Sequence, residues 1–212
     1  MALTVANMIT EAEKIYVRGD VSDATWQNYL DFGLENAIRD FNWHDLQAQQ
    51  TYNTVANTET VTISSSIRSL FSLRLNLTSP IRRPKLVYMT PEGFDDEYYQ
   101  GTDHTGVPLH YTLWGSVLYL GPVPDAVYVV RSLETRWPST FASQATSVSS
   151  PIARLEEYLI HYAVFWAFQA KSQADLSEKH LAIARQLLLH ARRSETNRIT
   201  DAATPGAGAY EV

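Results

Sequence analysis

The densest group of chemistry-bearing side chains in this 212-residue chain is Asp95-Asp96-Glu97. Neighbouring carboxylates can share the acid and base roles of glycoside hydrolysis, or ligate calcium. The twelve-position ligand spacing of a calcium loop is missing, however, and Thr90-Pro91-Glu92 just upstream reads as a helix start, where the dipole favours acids. The histidines His44, His104, His110, His161, His180 and His190 show none of the paired spacing by which a helix presents zinc ligands. His161, inside an apolar helical pattern, reads as a satisfied core or interface residue. Gly-x-Ser-x-Gly and Gly-x-x-x-x-Gly-Lys-Ser/Thr are both absent, which removes the commonest hydrolase and phosphate-loop signatures. Cysteine is absent too, excluding disulfides, thiolate metal sites and thiol nucleophiles. The chain is expected not to be an enzyme and to carry neither metal nor cofactor. A hydrolase of unfamiliar type would have only Asp95 to Glu97 to work with.

What remains is surface chemistry. Arg82-Arg83-Pro84-Lys85 and the group Arg192, Arg193 and Arg198 could touch DNA or an acidic protein. A net charge of -6 argues against a dedicated DNA-binding face, because phosphates are held by clustered Lys and Arg, while mild acidity suits a wall past which DNA slides. Aromatic residues are plentiful, and Trp114, Tyr98 and Tyr99 lie near loops, where they would serve an interface. Together with Tyr111 they could instead form the binding face of a carbohydrate-binding or fibre-attachment module.

The elements that carry these residues follow from periodicity. Apolar residues from Trp26 to Phe41 recur at helical spacing after a Ser22 or Asp23 cap, and a shorter helix precedes them from about Val5. Thr51 to Ser65, Leu70 to Leu77 and Lys85 to Met89 show strand character and are expected to join one antiparallel sheet. Pro91 opens a short helix to Tyr99. Leu109 to Trp114 and Val117 to Leu120 flank Gly115-Ser116 as a hairpin, and Val127 to Thr135 is a strand with Val127, Val129, Arg131 and Leu133 on one side. Pro151 then opens a long helix to Ala170, followed by another from Leu176 to about Arg193. The expected fold class is α+β: a helical bundle from the N- and C-terminal segments, an inserted antiparallel β-rich module and an extended C-terminal arm. The boundaries read as 1–50, 51–138, 139–198 and 199–212.

The start of the chain does not read as a secretory signal, and Leu159 to Ala170 is too short to cross a bilayer, so no membrane is expected. The final stretch, rich in Ala, Gly, Thr and Pro, cannot bury enough apolar surface by itself. Joining a neighbouring chain as an added strand or arm, through Ile199, Pro205, Tyr210, Glu211 and Val212, is what would order it.

The paired N-terminal helices ending near Trp43, the Gly106-Val107-Pro108 strand entry, the hairpin running from Trp114 to Asp125 and the closing helix pair span nearly the whole chain. In that order they resemble the head-tail connector (adaptor, or head completion) proteins of tailed bacteriophages. The β insertion makes the chain look closer to the adaptors of short-tailed phages. The resemblance implies a homo-oligomeric ring, commonly a dodecamer, in the neck of a virion assembled in host cytoplasm. Such a ring docks under the portal protein, presents a platform to a downstream tail or nozzle protein, and lets DNA pass without sequence-specific binding. Its C-terminal arm would reach the portal.

Overall fold

The computed structural model describes residues 3–78, 81–98, 104–141 and 150–203. The chain forms two compact units, one from the residues up to Asp45 together with those from Pro138 onward, the other from Leu46–Trp137.

The first unit is helical. Helix α1 (Val5–Ile15) is capped by Thr4, whose hydroxyl accepts the Asn7 N–H at 3.2 Å, and α2 (Asp23–Arg39) by Ser22, which accepts the Thr25 N–H at 3.3 Å. α2 ends two residues before Phe41, whose ring turns onto Trp43 at 4.7 Å. Helix α4 (Glu156–Ala170) starts later than Pro151 suggests. Ser150 folds onto Ile152, accepting its N–H and donating to its carbonyl, and a 3-10 turn at Ala153–Leu155 intervenes. The last helix, α5 (Ala174–Ala203), outruns its expected end and continues through Arg198 and Ile199.

α4 packs against α1, α2 and α5, so it buries Tyr158, Leu159, Ala163, Val164 and Ala167 around more than one face. Gly33 lets α2 approach closely: a Cβ there would lie 3.1 Å from Leu159 and 3.2 Å from Tyr162. Beside it the Tyr158 hydroxyl donates to the Gly33 carbonyl at 3.1 Å and accepts from Asn36 at 3.0 Å, and burial pushes this phenol up to about 12. At the other end Glu195, 1% exposed, accepts the His44 N–H at 2.9 Å and an Arg154 N–H at 2.7 Å, tying α5 to the segments after α2 and before α4.

The second unit is β-rich. The strands do not make one sheet but two of four strands each. The first has β1 (Gln47–Asn53), β10 (Val129–Arg136), β3 (Ile67–Thr78) and β4 (Ile81–Arg82) in that order; the second has β2 (Thr60–Thr62), β8 (Val117–Gly121), β7 (His110–Trp114) and β5 (Val87–Tyr88). The segment expected from Lys85 to Met89 supplies β5, which pairs with β7 in parallel and leaves the β3 sheet. A further parallel pair joins β6 (Thr105–Gly106) to β9 (Val123–Pro124). Leu73, Leu75 and Val130 of the first sheet meet Val61, Tyr111, Leu118 and Leu120 of the second in one core, a sandwich. The hairpin forms as read: Gly115 takes φ +60 at the first central position, and Trp114 faces Val117. Helix α3 (Pro91–Tyr98), with Thr90 accepting the Gly93 N–H at 3.2 Å, packs on β7.

On β10 the side bearing Val129, Arg131 and Leu133 is the outer one, and Val127 lies before the strand begins. Val130, Ser132 and Glu134 point inward, and Glu134 is wholly buried. Its carboxylate accepts from Arg136 at 2.6 Å, Ser132 at 2.7 Å and Tyr52 at 3.2 Å. The Glu134 bond holds the Arg136 guanidinium above its ordinary range, and burial raises the Tyr52 phenol.

Two substitutions test these supports by chemical denaturation. Gly33→Leu forces α2 from α4 and should cost roughly 2–3 kcal/mol. Arg136→Met strands the Glu134 charge and should cost about 3 kcal/mol; Arg39→Met, at an exposed i,i+4 pair, should change stability by less than about 0.5 kcal/mol.

Candidate interaction surfaces

The outer face of the second sheet carries Trp114 and, through α3, Tyr98. Phe94 of α3 is buried against that face, and the Tyr98 hydroxyl lies 2.6 Å from His110 Nδ1. The Tyr98 ring covers Gly121, where a Cβ would sit 2.5 Å from it, so only glycine fits. Burial raises this phenol above its ordinary value, with the Glu97 charge adding to the shift. Tyr98 therefore seals α3 to the sheet instead of standing free. Tyr99 lies outside the described residues. Trp114 is 71% exposed at the hairpin turn and, with Pro91, Phe94, Asp95, Thr112 and Tyr119, lines a small groove of about 150 Å³. Tyr111 points the opposite way, into the core, because successive strand residues alternate faces. Among the described residues, Trp114, Tyr98 and Tyr111 do not share the face that a sugar-binding module would need.

The outer face of the first sheet is basic. Arg74 and Arg131 are directly opposite in the β3–β10 register and, with Arg83, Gln49, Ser72 and Leu133, line a shallow groove of about 360 Å³. Lys85 bridges to Arg74 through the backbone. Sequence reading noted Arg83 and Lys85 as a short run but missed Arg74 and Arg131, which sit in other strands. For Arg74 the available signal was its polar position in the alternation of Leu70 to Leu77; Arg131 shares its side of the strand with Val129 and Leu133 and offered none.

The C-terminal group separates. Arg192 is spent on packing, its guanidinium 5.7 Å from the centre of the Phe41 ring, whereas Arg193 is exposed. Arg198 and Ile199 fall on α5. Pro205, Tyr210, Glu211 and Val212 lie outside the described residues.

His161 reads from the sequence as a satisfied core or interface residue, but its partner has no sequence signal. His161 and His180 stack across α4 and α5 with their Nδ1 atoms 3.0 Å apart, and Phe168 stacks on His180. Burial lowers both imidazoles; His180 is lowered further by His161 and Lys179, while Glu157 partly offsets the shift at His161. No group of three or more metal-ligand side chains occurs among the described residues.

The family model described as SU10 adaptor protein matches residues 3–208. The chain belongs to that family. It is a phage head-tail adaptor, a structural component of the virion, from a family that is not enzymatic. The match takes in nearly all of the adaptor's helical unit and the whole of its β unit. No curated protein matches the chain. No helix of the adaptor, among the described residues, is long and apolar enough to cross a membrane.

The histidine pair gives the adaptor a pH dependence of definite sign. Its folded-state pKa values lie below the unfolded value near 6.5, so the unfolded chain binds more protons in that window. Stability should be fully present above about pH 6.5 and fall as the pH drops toward the depressed values. Denaturation midpoints measured from pH 7.5 to 5 should show this loss, and His161→Gln should flatten it.

Proposed function

We propose that the adaptor forms a ring, of twelve copies, that joins the portal to the downstream tail or nozzle protein around the DNA channel in the virion neck. The observation that carries this reading is the family match across the helical unit and the inserted β unit together. A ring built from copies of one chain multiplies each contact by symmetry, so a modest surface per copy suffices. The acidic balance, -6 per chain, supports a conduit that DNA traverses without sequence-specific contact.

The helical unit is the part suited to the portal. α5 has 30 residues against 15 in α4, and the glycine- and alanine-rich stretch from Pro205 onward, which follows it in sequence, is the proposed arm. The exposed Arg193 lies on the same helix as Arg198 and adds positive charge toward an acidic partner or passing DNA. The β unit is then the platform available to other virion components.

Light scattering on a sizing column tests the reading. The purified adaptor mixed with the portal ring of the same phage should add about one copy per portal subunit. A chain truncated after Ala203 should keep its helical circular dichroism and lose that association. Absence of binding by the full chain would overturn the ring; full binding by the truncated chain would overturn the arm alone.

A further inference from the structure

The β unit is electrically two-sided. Every Lys and Arg between Leu46 and Trp137 lies in β3, β4, the turn after β4, or β10, all parts of the first sheet. Of the acids in the same stretch only Glu134 belongs to that sheet, and it points inward to Arg136. The outer face of the second sheet is covered by α3, whose Glu92, Asp95, Asp96 and Glu97 are all exposed. Because the sandwich core lies between the two sheets, the basic face and the acidic helix are on opposite outer sides of this unit.

The basic face carries a cost that its own residues do not relieve. Like charges directly opposite on neighbouring strands are destabilising, and Arg74 faces Arg131 in register. Arg74 donates to the Arg83 carbonyl at 3.2 Å and Arg131 to the Gln49 side-chain oxygen, both neutral acceptors. The groove between them has no carboxylate in its lining, and Phe71 and Leu133 stand beside it, 47% and 46% exposed. A matching surface must supply carboxylates next to something apolar. The α3 side offers both, since Asp95 shares its groove with the exposed Trp114 ring.

We propose that the outer face of the β1–β10–β3–β4 sheet, centred on Arg74, Arg83 and Arg131, docks onto α3 and Trp114 of a second copy of this chain. This rests on the ring reading and names the contact between its copies. A contact between two different patches on opposite sides of one unit is heterologous, the kind that propagates around a ring. Arginine suits the role: its planar fork can grip a carboxylate bidentately or lie on the face of an indole. A nucleic-acid partner fits less well, because the apolar flanks add nothing to phosphate binding and the chain is acidic as a whole.

Full-length adaptor bound to its portal provides the test. The natural sequence has no cysteine, so Ser72→Cys combined with Glu92→Cys introduces one thiol on each proposed surface. Mild oxidation should link portal-bound copies into a ladder of multimers, and either substitution alone should not. Arg74→Glu with Arg131→Glu, and separately Asp95→Lys with Glu97→Lys, should each cut the copies bound per portal at least tenfold at limiting concentration. Mixing the two variants restores opposite charge at every contact and should restore binding, with circular dichroism confirming that each folds.

If the wild type occupies the portal at one copy per subunit but no ladder forms and both reversals bind normally, this contact is wrong and the ring stands. If neither the wild type nor the double-cysteine variant binds the portal, and that variant forms no ladder, both fall. Loss of binding to a duplex DNA fragment in the arginine variant, without any ladder in the double-cysteine variant, would assign the basic face to nucleic acid and overturn the proposal.

Discussion

An insertion between two helical segments must return the chain to the point where it left, and the β1–β10 pairing meets that constraint. The first and last strands of the β unit run antiparallel with Gln47 opposite Thr135, so the insertion begins and ends on adjacent strands. The ends of the helical unit at Asp45 and Pro138 are therefore never asked to span a long gap. Closing so long a loop costs entropy only logarithmically in its length, and a ladder from Gln47 to Asn53 readily offsets it. With that ladder in place, segments far apart in sequence can build one helical unit, and α4 can serve as its centre.

Each unit secures its chain crossing with a buried carboxylate held by an arginine. In the helical unit Glu195 joins Arg154 and the His44 backbone; in the β unit Glu134 joins Arg136, Ser132 and Tyr52. Glu134 lies where the β10–β3 register shifts between Leu133 and Glu134, a place where regular apolar packing is already interrupted. A buried charge stabilises little compared with a well-packed apolar group, but removing its partner is costly. Such pairs accordingly penalise alternatives in which the strand slips and the charge loses its arginine.

Local signals in the sequence were reliable where a local cause governs structure. The Thr90-Pro91 start of α3, the Ser22 cap of α2 and the Gly115 turn all depend on a few neighbouring residues, and all form as read. Period two reported alternation but neither the partner strand nor the inner face. Val129, Arg131 and Leu133 share one side of β10 in the alternation, and the inward side is the other, Val130, Ser132 and Glu134, where bonds from Arg136 and Tyr52 make the buried acid tolerable. The allocation of strands to two sheets, and the parallel β5–β7 pair, depend on contacts that no single segment encodes. The pairing of His161 with His180 is of the same kind.

The charge of this chain shows why the candidate surfaces were only partly legible. Counted along the sequence, Arg82-Arg83-Pro84-Lys85 is a short run in an acidic protein, and Arg74 and Arg131 are isolated. Counted across the folded sheet they converge, because strands about 4.8 Å apart place residues from distant segments side by side. The reverse happened at the C-terminal group, where adjacent Arg192 and Arg193 part company on the helix, one onto Phe41 and the other into solvent. Net charge describes the solvated whole, whereas recognition responds to the field over a face a few side chains wide, within the Debye length of roughly 8 Å at physiological salt. A chain at -6 can therefore present a basic sheet to a partner, provided that acids of the same unit lie on another side, as the four on α3 do.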